Sequence, residues 1–289
     1  MSHGTLFVVG TPLGNLEDVT LRALRVLETV SLIAAEDTRV TKKLLERHGL
    51  RTPLASFREQ NADRVIPDIL ARLASGADVA LVSDAGTPSV SDPGLALVAA
   101  VAARGFAVRP IPGPSALAAA VSVAGLPGEG VRFLGFLARS GRRRKDRLAS
   151  LAHDPSLVVL YESPGRLART LLDLSLALGP RLAVVLREMT KIHEEAARGT
   201  LPELAARYER GTKGEVTVVV AGAACESEGD EITETRLAEI IRGEVAKGRS
   251  AKDLSADLSR SLGLPRRRIY ELAVTEISSR KGTGSYENR

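Results

Sequence analysis

Residues 77–94 read ADVALVSDAGTPSVSDPG. The segment opens as a short apolar run, ADVALVSD (77–84), of the kind that forms a strand buried in a sheet. Its last residues begin a turn, VSDAGTPSVSDPG (82–94), holding two aspartates, two prolines, two glycines and several hydroxyls. Such residues at a strand end suit a phosphate cradle, a nucleophile turn or a shaped pocket for another ligand. The chain has no GxxxxGKS or GxxxxGKT, so it lacks the P-loop. Its GTPLGN and DAGTP turns lack GxGxxG, and their prolines remove amides that a dinucleotide's phosphates need. GxSxG is absent too, so Ser89 and Ser91 lack the glycine frame of a nucleophile elbow. What remains is a rigid loop at a strand's carboxyl end, where open α/β sheets bind ligands.

The same arrangement recurs on both sides of this loop. LFVVG (6–10) ends in TPLGN (11–15), a strand near 30–35 ends in EDTR (36–39), and FAVRPIPG (106–113) leads into PSALAAAVSVAG (114–125). Helical spacing appears at 18–30, 41–49, 62–76 and 94–105. Strands alternating with helices predict a mostly parallel, covered sheet. LPGEG (126–130) reads as a hinge, and the pattern then restarts. Strands are predicted at 131–137, 156–163, 181–189 and 214–222, with helices at 164–179 and 201–211. ACESEGDE (224–231) reads as a linker, and three helical patterns follow, with a Ser250/Asp253 capping box and a Gly263 turn. The predicted organisation is one α/β domain over 1–126, a second over 127–224 and a three-helix appendage over 232–282, with a frayed tail.

Composition sets further bounds. The 289 residues are 44% hydrophobic but only 3% aromatic with no Trp, so the cores are built from Leu, Val, Ala and Ile. That scarcity argues against an aromatic RNA-stacking sheet. The net charge of +5 permits a polyanionic partner. The single cysteine, Cys225, excludes an internal disulfide. Four scattered histidines give no metal-ligand spacing, so no metal is expected. The N-terminus has no basic n-region and no run reaches a membrane span, which points to a cytoplasmic protein.

Eight blocks occur in order: VVGTPLGNLEDVTLRAL, AEDTR, VSDAGTPSVSDPG, PIPGPSA, FLGFL with a basic run, LYESPGRL, REMTKIHEE and GEVTVVV. On these blocks the first ~225 residues, two domains of ordinary size, resemble the tetrapyrrole methylase superfamily. Within it they are similar to the branch that methylates small-subunit ribosomal RNA. The resemblance implies two α/β domains with the cofactor folded into the cleft between them, and a small C-terminal helical domain. It implies S-adenosylmethionine as cofactor, a homodimer, and methylation of a cytidine ribose 2′-hydroxyl in the decoding region of 16S rRNA, free or in the assembled 30S subunit.

The resemblance also distributes roles, each beside a plainer alternative. Pro12, Leu13 and Gly14 form a wall of the cofactor pocket, or an ordinary strand-to-helix turn. Asp84, Ala85, Gly86, Thr87 and Pro88 face the methionine part, where a carboxylate suits a cationic sulfonium; Asp84 is otherwise an Asx turn. Asp92 is expected to cap the helix starting near Pro93. Ser115 and Ala116 open a helix, which allows capping and cofactor contact together. Tyr161 joins the pocket or the core, Glu162 needs a polar partner, and Val216 and Thr217 reach the adenine side. Glu36, Asp37, Glu162 and Glu188 are the carboxylates considered as general base. Arg39, Lys191 and the run Arg142, Arg143, Arg144 and Lys145 are expected to face RNA, each charge run being otherwise a solvated surface; Arg266 and Arg267 belong to an appendage that is either a helix-turn-helix-like RNA contact or a dimer-stabilising bundle. A corrin-type macrocycle methyltransferase and a non-catalytic ribosome-assembly factor are the competing functions.

Overall fold

The computed structural model describes residues 3–223, 234–247, 249–262 and 264–283. The linker at 224–231 with Cys225, the Gly263 turn and the tail from 284 lie outside the described residues. The chain divides into two compact units, Met1–Ala223 and Ala224–Arg289.

In the larger unit the predicted strand–helix alternation yields β1 (Thr5–Val9), α1 (Leu21–Thr29), β2 (Leu32–Ala35), α2 (Thr38–Arg47), β3 (Leu54–Ser56), α3 (Ala62–Ala74), β4 (Val79–Val82), α4 (Leu95–Ala103) and β5 (Ala107–Ile111). The strands form a 5-stranded sheet in the order β3-β2-β4-β1-β5. Every pairing is parallel, as predicted. Side chains alternate between faces with period 2. Leu32 and Ala34 of β2 and Val79 and Leu81 of β4 meet Ile69, Leu73, Leu97 and Val101 of α3 and α4. Ile33, Ala35, Ala80 and Val82 point the other way, onto Ala23, Leu27, Leu44 and Leu45 of α1 and α2. Burial on both faces explains why β4 is unbroken VALV.

The helix after β5, α5 (Ala116–Ala124), packs not on this sheet but on the second one. The second sheet uses β6 (Val131–Phe136), β7 (Leu157–Glu162), β8 (Leu182–Arg187), β9 (Glu195–Thr200) and β10 (Val216–Val220). Its order is β6-β7-β10-β8-β9. Here the pairing is mixed: β6 and β7 are parallel, but β10 runs antiparallel to both β7 and β8, and β9 to β8. The cause is the short loop 188–194, which joins β8 to β9 with no crossover helix, so the pair must be antiparallel. Three helices, α6 (Arg142–Ala149), α7 (Leu167–Leu178) and α8 (Leu201–Arg207), cover one face. Ala120 and Ala124 of α5 cover Val159, Val184 and Val219 on the other. β3 and β9 were not legible as strands; both are sheet edges, and EAARGT has no apolar alternation.

The smaller unit holds α9 (Glu234–Ala246), α10 (Ala251–Leu262) and α11 (Arg266–Thr283) around Leu237, Ile241, Leu254, Ile269 and Ala273. Ser250 caps α10, accepting from the Asp253 amide at 3.2 Å and donating to its carboxylate at 2.7 Å. Among the described residues no helix is long and apolar enough to cross a membrane, and no group of three His, Cys, Asp or Glu is placed to hold a metal ion.

Candidate active site

The loop after β4 is the hub of the larger unit. Thr11 and Gly86 exchange two backbone hydrogen bonds, at 2.8 and 3.0 Å, which fastens the TPLGN loop to DAGTP. The Thr87 hydroxyl donates to the Pro114 carbonyl at 3.1 Å and ties in the loop before α5. The Asp37 amide donates to Asp84 Oδ1 at 2.8 Å, and the Asp84 amide to Glu36 Oε2 at 3.4 Å, which ties in EDTR. Four strand ends are thus locked together by short polar bridges. Gly86 has φ +77°, and a Cβ there would lie 3.3 Å from Leu13 Cδ2. The left-handed conformation and the close approach both favour glycine.

Facing this hub are the ends of the second sheet. Because β10 is antiparallel to β7, its first residues lie beside the last residues of β7: Thr217 opposite Tyr161, and Val216 opposite Glu162. Between the two sets of loops lies a cavity of about 350 Å³. The size is within the range of small-molecule sites. Of the pocket residues expected from the sequence, Leu13, Ala85, Gly86, Thr87, Ser115, Ala116, Tyr161, Val216 and Thr217 line it. Phe136, Ser163, Met189 and Glu215 also line it and were not anticipated. Tyr161 packs edge-on against Phe133 and Phe136 at centroid distances of 4.9 and 5.8 Å, which fixes its ring. Ser115 occupies the N-cap of α5, its side chain makes no capping bond, and the residue lines the cavity.

Several expected residues are placed elsewhere. Pro12, Gly14, Asp84 and Pro88 are not among the lining residues. Asp84 is a bracket between loops. Gly14 is the floor on which the Lys191 side chain lies, since a Cβ there would fall 2.4 Å from Lys191 Cγ. Lys191 itself pairs with Glu188 at 2.9 Å and Glu215 at 3.1 Å. Arg144 is turned inward. Its side chain is 7% exposed, bonded to Asp173, to the Thr170 hydroxyl and to the Ala138 carbonyl. Arg142, with a side chain 94% exposed, and Arg143 and Lys145 remain outside. Arg39 is exposed and holds Asp37 at 2.6 Å. In the smaller unit Arg266 and Arg267 are exposed at the start of α11, and Arg267 pairs with Glu271 at 3.0 Å.

The carboxylates separate by environment. Arg39, donating through side chain and backbone, holds Asp37 far below the usual carboxylate range. The Glu215 amide and then Lys191 hold Glu188 down. Glu162 lines the cavity yet is buried, accepting from the Ser163 amide at 2.8 Å and the Thr170 hydroxyl at 2.7 Å, with Arg166 at 3.2 Å. It found the polar partners the sequence required. Burial raises Glu36, partly offset by the Asp84 amide. The outlier is Asp92. It does not cap α4, whose N-cap is Gly94 with no side-chain bond. It lines the cavity instead, and burial, reinforced by the Glu36, Asp84 and Glu215 carboxylates, pushes it up to about 6.

A raised carboxyl favours its neutral form in the folded state. Its stabilising contribution is present at low pH and is lost as pH rises through about 6. Asp92→Asn keeps the neutral shape, so it is expected to raise Tm above wild type at pH 8 and to match wild type at pH 4. Thermal melts at the two pH values check this; an equal shift at both contradicts it.

The cavity suits a sulfonium cofactor. Apolar walls from Leu13, Val90, Phe136 and Met189 can hold a purine, and the Glu162 and Glu215 carboxyls supply the negative field that a sulfonium and an ammonium require. The comparisons agree with this chemistry. The sequence profile of the Tetrapyrrole (Corrin/Porphyrin) Methylases matches residues 5–205. A ribosomal RNA small subunit methyltransferase I of Xylella fastidiosa is 45% identical over 271 residues, 92% of this chain and 98% of that one. The protein of the same name from Synechocystis is 44% identical over 94% of this chain and 98% of its own. That from Thermotoga maritima is 47% identical over 220 residues, 76% of this chain and 99% of its own. Among solved structures, a cobalt precorrin-4 methyltransferase covers 75% of this chain and 94% of its own, with TM-score 0.59 and 18% identity. A Thermus thermophilus uroporphyrin-III C-methyltransferase complexed with S-adenosylhomocysteine covers 75% of this chain and 97% of its own, with TM-score 0.55 and 20% identity. The last two show a shared fold. With this cavity, this pair of sheets and these relatives, the chain belongs to the S-adenosylmethionine-dependent tetrapyrrole methylases and, within them, to the ribosomal RNA small subunit methyltransferase I family.

Proposed function

We propose that this protein methylates the 2′-hydroxyl of a cytidine ribose in the decoding region of 16S rRNA. The observation that carries this reading is the 45% identity over 92% of the chain to a relative named for small-subunit rRNA methylation. When bound, S-adenosylmethionine supplies an already activated methyl group. The protein's share of the work is therefore alignment. Proximity and orientation are worth about 7–11 kcal/mol, and the bridged loops around Gly86, Thr87 and Asp84 give the rigidity that alignment needs. Arg142, Arg143 and Lys145 offer exposed charge for phosphates, while Arg39, Arg266 and Arg267 are further basic positions for RNA. The working form in this reading is a cytoplasmic homodimer, with 1–126 and 127–224 as the two α/β domains and 232–282 as the appendage.

Methyl-labelled cofactor offered 30S subunits, naked 16S rRNA and a precorrin in parallel tests the reading. Label is expected in the 16S rRNA, free or in the subunit. Label in the macrocycle alone, or in none of the three, contradicts it.

A further inference from the structure

Beside the cofactor cavity lies a second, more open one of about 830 Å³, lined by polar side chains from the ends of β2, β3 and β4. A single residue, Asp92, belongs to both linings. It is carried there by a strained turn. Ser89 and Ser91 both adopt left-handed backbone, at φ 69° and 68°. Such backbone is strained for any residue but glycine and persists where surrounding structure holds it. Gly94, at φ 141°, closes the turn, because a Cβ there would fall 2.6 Å from Ser89 Oγ. The turn therefore aims one carboxylate at the boundary between the two spaces.

We propose that the outer cavity receives a nucleoside unstacked from RNA, and that Asp92 takes the proton of its ribose 2′-hydroxyl as the oxygen accepts the methyl group. This rests on the rRNA-methylating function proposed above. The new C–O bond forms as the sulfonium C–S bond breaks, its electron pair stays on sulfur, and the hydroxyl proton passes to the Asp92 carboxylate and then to solvent.

The outer cavity carries groups suited to a base. Arg58, with a side chain 51% exposed, supplies a guanidinium plane, Gln60 an amide edge and Leu95, 74% exposed, an apolar ledge. Unstacked bases are held by stacking on guanidinium planes and by hydrogen bonds to their edges. Asp92 is faced by Glu36 from the end of β2, Asp84 from the loop after β4, Glu215 before β10 and Tyr161 on β7, with the Ser83 hydroxyl beside it. Arg58 faces Glu36. A carboxyl in this setting, titrating near 6, is ionised at neutral pH and remains a useful base. Glu36 borders the outer cavity alone, so it tunes Asp92 rather than replacing it.

Single-turnover transfer to the rRNA substrate identified above, in parallel with S-adenosylhomocysteine titrations, tests the assignment. Asp92→Asn is expected to slow transfer about 10²–10⁴-fold, with S-adenosylhomocysteine affinity changed less than about threefold. Asp92→Glu should recover part of the rate. The wild-type rate should rise through pH near 6, and Glu36→Gln should move that limb to lower pH by removing a negative neighbour. Carboxyl ¹³C NMR of the cofactor-free protein should show the same two midpoints for Asp92. Arg58→Ala should weaken binding of a short cytidine-containing RNA to the cofactor-free protein about tenfold, consistent with loss of one stacking contact. Wild-type rates in Asp92→Asn, or loss of activity in Glu36→Gln with an unmoved limb, overturn the inference alone. A wild-type protein that leaves every RNA unlabelled overturns the functional reading as well.

Discussion

Arg144→Ala is expected to lower the unfolding free energy by about 3–5 kcal/mol, the usual cost of stripping one partner from a buried ion pair. Arg144 sits in a chain of contacts: Nε to Asp173 at 2.9 Å, Nη2 to Thr170 at 3.1 Å, and the Thr170 hydroxyl onward to Glu162 at 2.7 Å. Its removal leaves Asp173 without its donor, leaves the Ala138 carbonyl only the longer bond from Arg166 at 3.4 Å, and loosens the bond that holds Glu162 at the cavity wall. At about 2–4 °C per kcal/mol for a domain of this size, Tm should fall by about 6–20 °C. The neighbours behave differently. Arg142 is exposed and pairs with Asp146 at 3.5 Å, so Arg142→Ala should change stability by less than about 0.5 kcal/mol. With Arg143→Ala it should instead reduce the salt-dependence slope of RNA binding by about 1.4, or 0.7 for each single-strand phosphate released. Equal Tm values for the Arg144 and Arg142 variants would sink this division.

Gly86→Val is expected to weaken S-adenosylhomocysteine binding on the order of 100-fold, about 2.7 kcal/mol. Left-handed backbone costs an L-residue roughly 1–2 kcal/mol, and β-branching adds to it. The new Cβ would also press on Leu13, itself a wall of the cavity. Relief of either strain pulls on the Thr11–Gly86 bridge and so widens the gap between loops. The β4 strand beneath is buried among α3 and α4 and should stay folded. Calorimetric titration with far-UV circular dichroism separates the two effects. Full affinity in the variant would show that the bridge does not shape the cavity.

The residues easiest to place from sequence were those at strand ends with small side chains. Ala85, Gly86, Thr87, Ser115 and Ala116 line the cavity, because loops after a strand's carboxyl end have little other surface to offer; Val216 and Thr217, the first residues of β10, line it too and were placed by the family resemblance alone. Asp92 was missed for a local reason: Asp-Pro-Gly before an apolar run reads as helix punctuation, and only the backbone shows Gly94 taking the cap. Met189 and Glu215 were missed because each sits in a charged stretch, REMTK and KGE, that reads as solvated surface. Arg144 hid in a run of cations. Its spacing to Leu148 and Leu151, which are buried with it, held the helical signal that four adjacent basic residues obscured.

The measurement that bears most directly on the central claim is nucleoside analysis of the rRNA methylated in the labelling experiment. After digestion, the account predicts one labelled product, 2′-O-methylcytidine, with the methyl group on the sugar and the base unmodified. Label on a base, or on the ribose of another nucleoside, would contradict it.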